Sequence, residues 1–199
     1  QGEYLLFLNN DVDIITESWL EEMLQLCQQK DVGMVGAKLY YPDDTIQHAG
    51  VVVGLGGVAA HVLCKLPRDA EGYMGRLRCV QEISAVTAAC MMVKTSVFKA
   101  VGGFDEELKV AFNDIDLCMK VRKYGVKIVF TPYAELYHYE SKSRGMEDTP
   151  EKQLRFSREV NCFRRKWERE LLKGDPYYNP NLTLNNTDCS LRKQEKNGD

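Results

Sequence analysis

The 199 residues, 44% of them hydrophobic, can bury one substantial core and argue for a single domain rather than two. With 26 Lys and Arg against 29 Asp and Glu, the net charge of −3 excludes a broad basic field for nucleic acid or an anionic membrane, so any phosphate ligand must be held locally. The 7 cysteines are scattered, odd in number and without a C-x-x-C pair, which excludes a regular disulfide framework and points to reduced thiols in a cytoplasmic setting.

No apolar run reaches the roughly 18 residues of a membrane span, and the N-terminus lacks a basic-then-apolar leader pattern, which predicts a soluble domain. In chain order, Tyr4-Leu5-Leu6-Phe7-Leu8 reads as a strand buried on both faces. A free domain seldom starts on its central strand, so the chain is expected to be an N-terminally truncated piece of a longer protein. Thr16 or Glu17 then opens a helix with Trp19, Leu20, Met23, Leu24 and Cys27 at helical spacing. Val32 to Tyr41 reads as a strand, Pro42-Asp43-Asp44 as a turn, and Ala49 to Val53 as a further strand. Gly54 to Gly57 is a flexible connection and Arg68 to Arg78 a surface excursion.

Apolar, β-compatible sequence returns from Ser84 to Lys94. Thr95 to Val101 reads as a short helix closed by Gly102-Gly103, and Asn113 to Tyr124 as another closed by Gly125. Val126 to Phe130 and Ala134 to Tyr139 are expected as two strands separated by Thr131-Pro132, and Glu151 to Leu172 as one long amphipathic helix. Residues 1–184 make up the domain, and 185–199 form a polar tail expected to lack fixed structure. The alternation of strands and helices predicts an α/β/α sandwich with a mostly parallel mixed sheet, whose ligands sit at the carboxyl ends of the strands.

That rule draws attention to Asn9-Asn10-Asp11-Val12-Asp13, directly after the first strand. The cluster reads either as a seat for a hard divalent cation, which needs only one or two carboxylates when a diphosphate completes its shell, or as a strand-end turn or helix cap. Asp114 and Asp116 read either as functional carboxylates or as first-turn acids favoured by the helix dipole. On a helix they project roughly 200° apart, so they do not share one role. Lys142, Ser143 and Arg144 lie in a polar loop that solvent alone would explain. Arg144, with its planar fork, is the better phosphate contact.

Taken in order, FLNND, GGFDE, NDIDLC and TPYAELYH resemble the GT-A-fold family 2 glycosyltransferases, rhamnosyltransferase-like members especially, over nearly the whole chain. Each piece is weak alone, but the ordered set is specific. The resemblance implies an inverting, hexosyltransferase-type enzyme that moves a sugar from a nucleoside-diphosphate sugar to a saccharide or lipid-linked saccharide acceptor, in the synthesis of cell-surface polysaccharide. It implies a divalent metal, Mn²⁺ or Mg²⁺, on Asp11, with His138 completing the shell and Asp13 contributing through water or capping a helix. Asn9 stands where the family's metal motif has its first Asp.

By the same resemblance Asp114 is the catalytic base. Asn113, in the place of a frequent Glu, joins Asp116, Arg144 and Lys142 on the substrate side, with Asp116 orienting or structural. Gly54 to Gly57 and Val86 to Cys90 shape the acceptor or sugar pocket. A cytoplasmic location, or a peripheral one at the inner face of the membrane, goes with this reading, and an open sheet edge predicts self-association into a homo-oligomer. Two other classes stay open: a catalytically degenerate binding module, because Asn9 and Asn113 replace acids, and a nucleotide-sugar pyrophosphorylase.

Overall fold

The structure, a computed structural model, describes residues 2–139 and 149–193. Its elements run β1 (Tyr4–Leu8), β2 (Val12–Ile14), α1 (Trp19–Cys27), β3 (Val32–Tyr40), β4 (Ile46–His48), β5 (Val51–Val53), β6 (Ala59–His61), β7 (Gln81–Glu82) and β8 (Cys90–Lys94), then α2 (Thr95–Ala100), α3 (Asn113–Tyr124), β9 (Lys127–His138), α4 (Pro150–Lys166) and α5 (Glu168–Lys173). The main sheet has the order β1-β8-β3-β9-β2, with β4 added to β3 and β7 to β9, while β5 and β6 form a separate hairpin.

β1 and β3 are each antiparallel to β8, and β9 is parallel to β3. Hence β1, β3 and β9 point the same way, and their carboxyl ends share an edge with the amino end of β8. The expected mixed sheet is present, but its described pairings are mainly antiparallel, β3–β9 being the parallel pair. Helix–strand alternation predicts layers, not neighbours. Here the chain leaves β3 through the β4–β7 excursion instead of one crossover helix, so β8 enters antiparallel.

Side-chain alternation builds two cores. On one face Trp19, Met23 and Cys27 of α1, spaced by four, pack on Val35, Leu39, Met92 and Leu136. On the other, Met34, Met91, Ile128 and Phe130 meet Leu117, Cys118 and Val121 of α3 and Phe163 of α4. Gly36 is required where it stands: a Cβ there would lie 2.3 Å from Val86 Cγ1, so only glycine lets the segment before β8 lie flat on β3.

Thr131-Pro132 does not split the last strand. Instead β9 runs unbroken to His138 and absorbs the proline in a register shift against Gly36–Lys38 of β3. The expected single C-terminal helix is broken at Trp167 (φ −115°, ψ 23°), whose indole turns inward to bond Asp116. Residues 185–193 pack rather than trail: Leu191 bridges Leu182, Leu63 N–H donates to the Thr187 carbonyl at 2.6 Å, and Cys189 is buried. Backbone bonding to 181–183 and to Leu63 holds this polar stretch, which composition alone cannot reveal; residues 194–199 lie outside the described residues. Among the described residues no helix is long and apolar enough to cross a membrane.

Candidate functional site

The shared edge collects the sequence-predicted residues. Asn9, Asn10 and Asp11 carry the chain from β1 to β2, which lies on the far side of β9 and pairs Val12 with His138. The Tyr139 N–H donates to the Asp11 carbonyl at 2.9 Å, closing this junction. His138, only 8% exposed, has Nδ1 2.7 Å from Gln47 Oε1 and Nε2 3.0 Å from the Asn9 amide nitrogen. One tautomer satisfies both: Nδ1–H donates to the Gln47 oxygen, and Nε2 accepts from the Asn9 NH₂.

With that tautomer the single Nε2 lone pair goes to the Asn9 NH₂, and Asp11 Oδ1 lies 3.3 Å from the same nitrogen. Two electron-rich atoms so close repel unless a proton on Nε2 or a cation lies between them, and a cation there would take the lone pair over from Asn9. A side-chain oxygen that fixes the outer nitrogen of a histidine is also the usual support for an imidazole ligand. Asp11 and His138 therefore fit a divalent cation with two protein ligands, leaving the rest of the shell to a substrate phosphate. Among the described residues no three His, Cys, Asp or Glu side chains converge into a group that could hold a metal ion. Asp13 is exposed and accepts from the Tyr139 hydroxyl at 2.6 Å, which engages its carboxylate outside the Asp11–His138 pair.

The opposite wall is the start of α3. Asn113, the first residue of α3, accepts the Asp114 N–H on its Oδ1 at 2.7 Å. Asp114 Oδ1 accepts from Ile115 N–H at 2.8 Å and Oδ2 from Ala88 N–H at 3.2 Å. The next residue, Ala89, accepts the Asn9 N–H at 3.0 Å. This Ala88–Ala89 strap ties Asp114 and Asn9 to the same edge, and Gly36 permits the strap by admitting Val86.

Asp116 points away, as the helical rotation requires. It is wholly buried, with Oδ1 taking Trp167 Nε1–H and Lys166 Nζ, each at 2.8 Å, and Oδ2 lying 3.3 Å from Lys120 Nζ. Those neighbours give it the structural task of clasping α3 to α4. Lys142 and Arg144 lie outside the described residues.

Two residues of the site carry no sequence motif. Gln47, in the short buried strand β4, sets the His138 tautomer and donates from Nε2 to the His138 carbonyl at 3.2 Å. Glu159 of α4 is 3% exposed, and its carboxylate accepts three consecutive N–H groups, those of Lys109 (3.1 Å), Val110 (3.2 Å) and Ala111 (2.8 Å). This cradle holds the turn that brings Phe112 to φ 62° and α3 to its starting point. A signal for it existed: Glu159 falls in the apolar stripe of Phe156, Phe163 and Trp167, where a carboxylate needs buried donors.

The glycosyltransferase-like family pattern matches residues 1–159. The chain is 56% identical over 192 residues, 96% of its length, to the uncharacterized protein y4gI of Sinorhizobium fredii, of which it covers 21%. It is 41% identical over all 199 residues to the O-antigen biosynthesis protein RfbC of Myxococcus xanthus, of which it covers 15%. It thus spans about a fifth or less of those curated relatives. A stretch of 62 residues, 31% of the chain, is 36% identical to an N-acetylglucosaminyl-diphospho-decaprenol L-rhamnosyltransferase of Mycobacterium tuberculosis, 20% of which it covers.

Among solved structures, GalNAc-T7 with UDP, GalNAc and Mn²⁺ superposes with TM-score 0.59 at 13% identity, over 86% of this chain and 33% of that one. The mannosyltransferase PcManGT of Pyrobaculum calidifontis, in complex with GDP-Man and Mn²⁺, gives 0.53 at 15% identity, over 85% and 40%. At such identities the likeness speaks for the fold, which is GT-A. With the family pattern running through 159 residues and the site edge built where that fold presents its ligands, the chain belongs to the glycosyltransferase-like family.

Proposed function

We propose that the chain is the catalytic portion of an inverting, hexosyl-transferring enzyme that moves a sugar from a nucleoside-diphosphate sugar to an acceptor hydroxyl in cell-surface polysaccharide or glycoconjugate synthesis. The observation that carries this reading is the Ala88–Ala89 strap, which holds Asp114 against the edge where Asp11 and His138 face each other. The names of the Myxococcus and Mycobacterium relatives support the polysaccharide setting, and the nucleotides and Mn²⁺ of the two structural neighbours support the donor class.

Asp11 and His138 would hold a divalent cation, Mn²⁺ or Mg²⁺, which when bound would supply positive charge to a departing diphosphate. Asp114 takes the proton of the acceptor hydroxyl. Its two N–H bonds, to Ile115 and Ala88, leave each oxygen a further lone pair while fixing the carboxylate's direction, and a general base needs reach more than an extreme pKa. Attack from the Asp114 side, with the diphosphate leaving toward Asp11, inverts the anomeric carbon.

Paired variants test the roles. Asp11→Ala is expected to abolish Mn²⁺-dependent donor binding by calorimetry with the fold intact, whereas Asp114→Asn keeps donor binding and lowers the transfer rate by about a hundredfold or more. Near-normal transfer by Asp114→Asn would return that residue to helix capping. Absence of metal-dependent donor hydrolysis by the upstream-extended protein would favour a binding module instead.

A further inference from the structure

A cleft of about 820 Å³ opens beside β3 and β9, and none of Asn9, Asp11, His138 or Asp114 lines it. At its base is Lys38, 4% exposed, in a strand otherwise filled by apolar side chains and glycine up to Tyr40. An ammonium offers three N–H donors. The Leu77 carbonyl takes one at 3.0 Å, and the Tyr40 ring provides a π face 5.4 Å away, so the cation keeps hydrogen-bonding capacity on the cleft side. Burial pulls the Lys38 pKa down, as expected of an ammonium short of solvation. Glu135, opposite Lys38 on β9, favours the charged form of the lysine across the strand pair. A ligand oxygen would use it.

The rest of the cleft is built from opposed polar groups on aromatic supports. The Arg68 guanidinium lies 4.9 Å over the Tyr40 ring, 3.5 Å from Asp44 and 3.6 Å from Glu135. Tyr40 donates its hydroxyl to Glu135, and Tyr133, half-exposed, reaches the Arg78 carbonyl at 3.4 Å. Three basic and four acidic side chains line the space, so its charges nearly balance and it has no claim on a phosphate. A ligand suited to it offers acceptors to Lys38 and Arg68, hydroxyl donors to Asp44 and Glu135, and an apolar ring face to Tyr133. Neutral sugars combine all three, and the volume lies within the range of small-molecule sites, roughly 300–1,000 Å³.

We propose that this cleft is a saccharide subsite for a neutral, non-reacting sugar of the acceptor. The proposal rests on the glycosyltransferase reading. It adds a second point of recognition linked to the reaction edge by β9, since Tyr137, whose hydroxyl donates to Asp44 at 2.5 Å, immediately precedes His138. Binding energy gathered on a remote part of a substrate can hold its reacting part in place.

The test is a titration of the 199-residue chain, without donor, against maltotriose, chitotriose, a rhamnose disaccharide and a glucuronic acid disaccharide, followed by amide chemical shifts. At least one neutral sugar is expected to shift amides of Lys38 to Thr45 and Arg68 to Ala70. Lys38→Met and, on the rim, Tyr133→Ala are each expected to weaken that binding about tenfold. Tyr133→Ala carries the comparison if Lys38→Met does not fold.

Binding of no neutral sugar, shifts confined to Asn9–Asp11 and Ala88, preference for the glucuronide, or affinities untouched by the substitutions would overturn the proposal. A parallel titration of the upstream-extended protein with UDP-sugar and GDP-sugar plus Mn²⁺ reports on the donor site separately. A failed glycosyltransferase reading therefore shows in that arm and a failed subsite in the other.

Discussion

Glu159 shows how much of the site rests on a residue that touches no substrate. Its carboxylate gathers three N–H groups just before α3, and hydrogen bonds to a charged acceptor contribute about 1.5–3 kcal/mol where neutral ones contribute about 1. Glu159→Gln replaces one acceptor oxygen by a donor facing a donor, so the turn at Lys109–Ala111 must shift and Asp114 with it. Small misplacements of catalytic groups cost up to about a hundredfold. We expect kcat to fall about tenfold with KM for the donor nearly unchanged. A lowered melting temperature at full kcat would make Glu159 a purely structural residue.

Among the elements, the α3–α4 clasp is the most exposed to a single change. Asp116 gathers Trp167, Lys166 and Lys120 in one buried spot, and its two lysines keep some access to water. Burial pulls the Lys166 pKa down, but bonds to Asp105 and Asp116 carry it above the usual lysine value. Removing one partner of a buried pair costs roughly 3–5 kcal/mol. Because Lys166 retains Asp105, Asp116→Ala should sit near the low end, about 3 kcal/mol by urea denaturation. A change under about 1 kcal/mol would show the clasp to be dispensable.

The same elements mark what the sequence makes legible. The positions of β1, α1, β3 and α3 follow from periodicity and glycine stops, and the opposed directions of Asp114 and Asp116 from helical rotation. But β1, expected to be buried on both faces, is the outer strand beside β8, with Leu6 and Leu8 exposed. The join of β9 across Pro132, the break at Trp167 and the antiparallel entry of β8 all depend on partners distant in sequence. The site divides likewise: motif residues Asp11, Asp114 and His138 announce themselves, while Gln47 and the Ala88 N–H act through positions that no local pattern betrays.

At the scale of the whole molecule, His48 couples the hairpin side to the site side. It is completely buried, accepts from Thr87 N–H at 3.5 Å and has Nδ1 2.8 Å from His61 Nδ1. Burial, with His61 and His138 nearby, holds its pKa well below the usual histidine value. The folded state therefore binds this proton less readily than the unfolded one. Its contribution is complete above the unfolded value near 6.5 and is lost as pH falls toward the folded one, at up to about 1.4 kcal/mol per pH unit.

Denaturation from pH 8 to 5 should show that acid limb in the wild type and a flatter one in His48→Gln. Equal slopes would shift the burden to other groups. The 7 free thiols add an independent clock to the same molecule. Cys27 and Cys90 belong to the α1 face, with pKa pushed by burial to about 11 and about 12, while Cys118 on the α3 face is also raised by burial and Cys79 is exposed. Only thiolates react, so alkylation at neutral pH marks the exposed Cys79 at once and the buried Cys27, Cys90 and Cys118 each time their layer opens. Mass spectrometry of the labelled peptides would then time the two sides of the sheet separately, and show whether the face carrying Asp114 breathes before the face carrying α1.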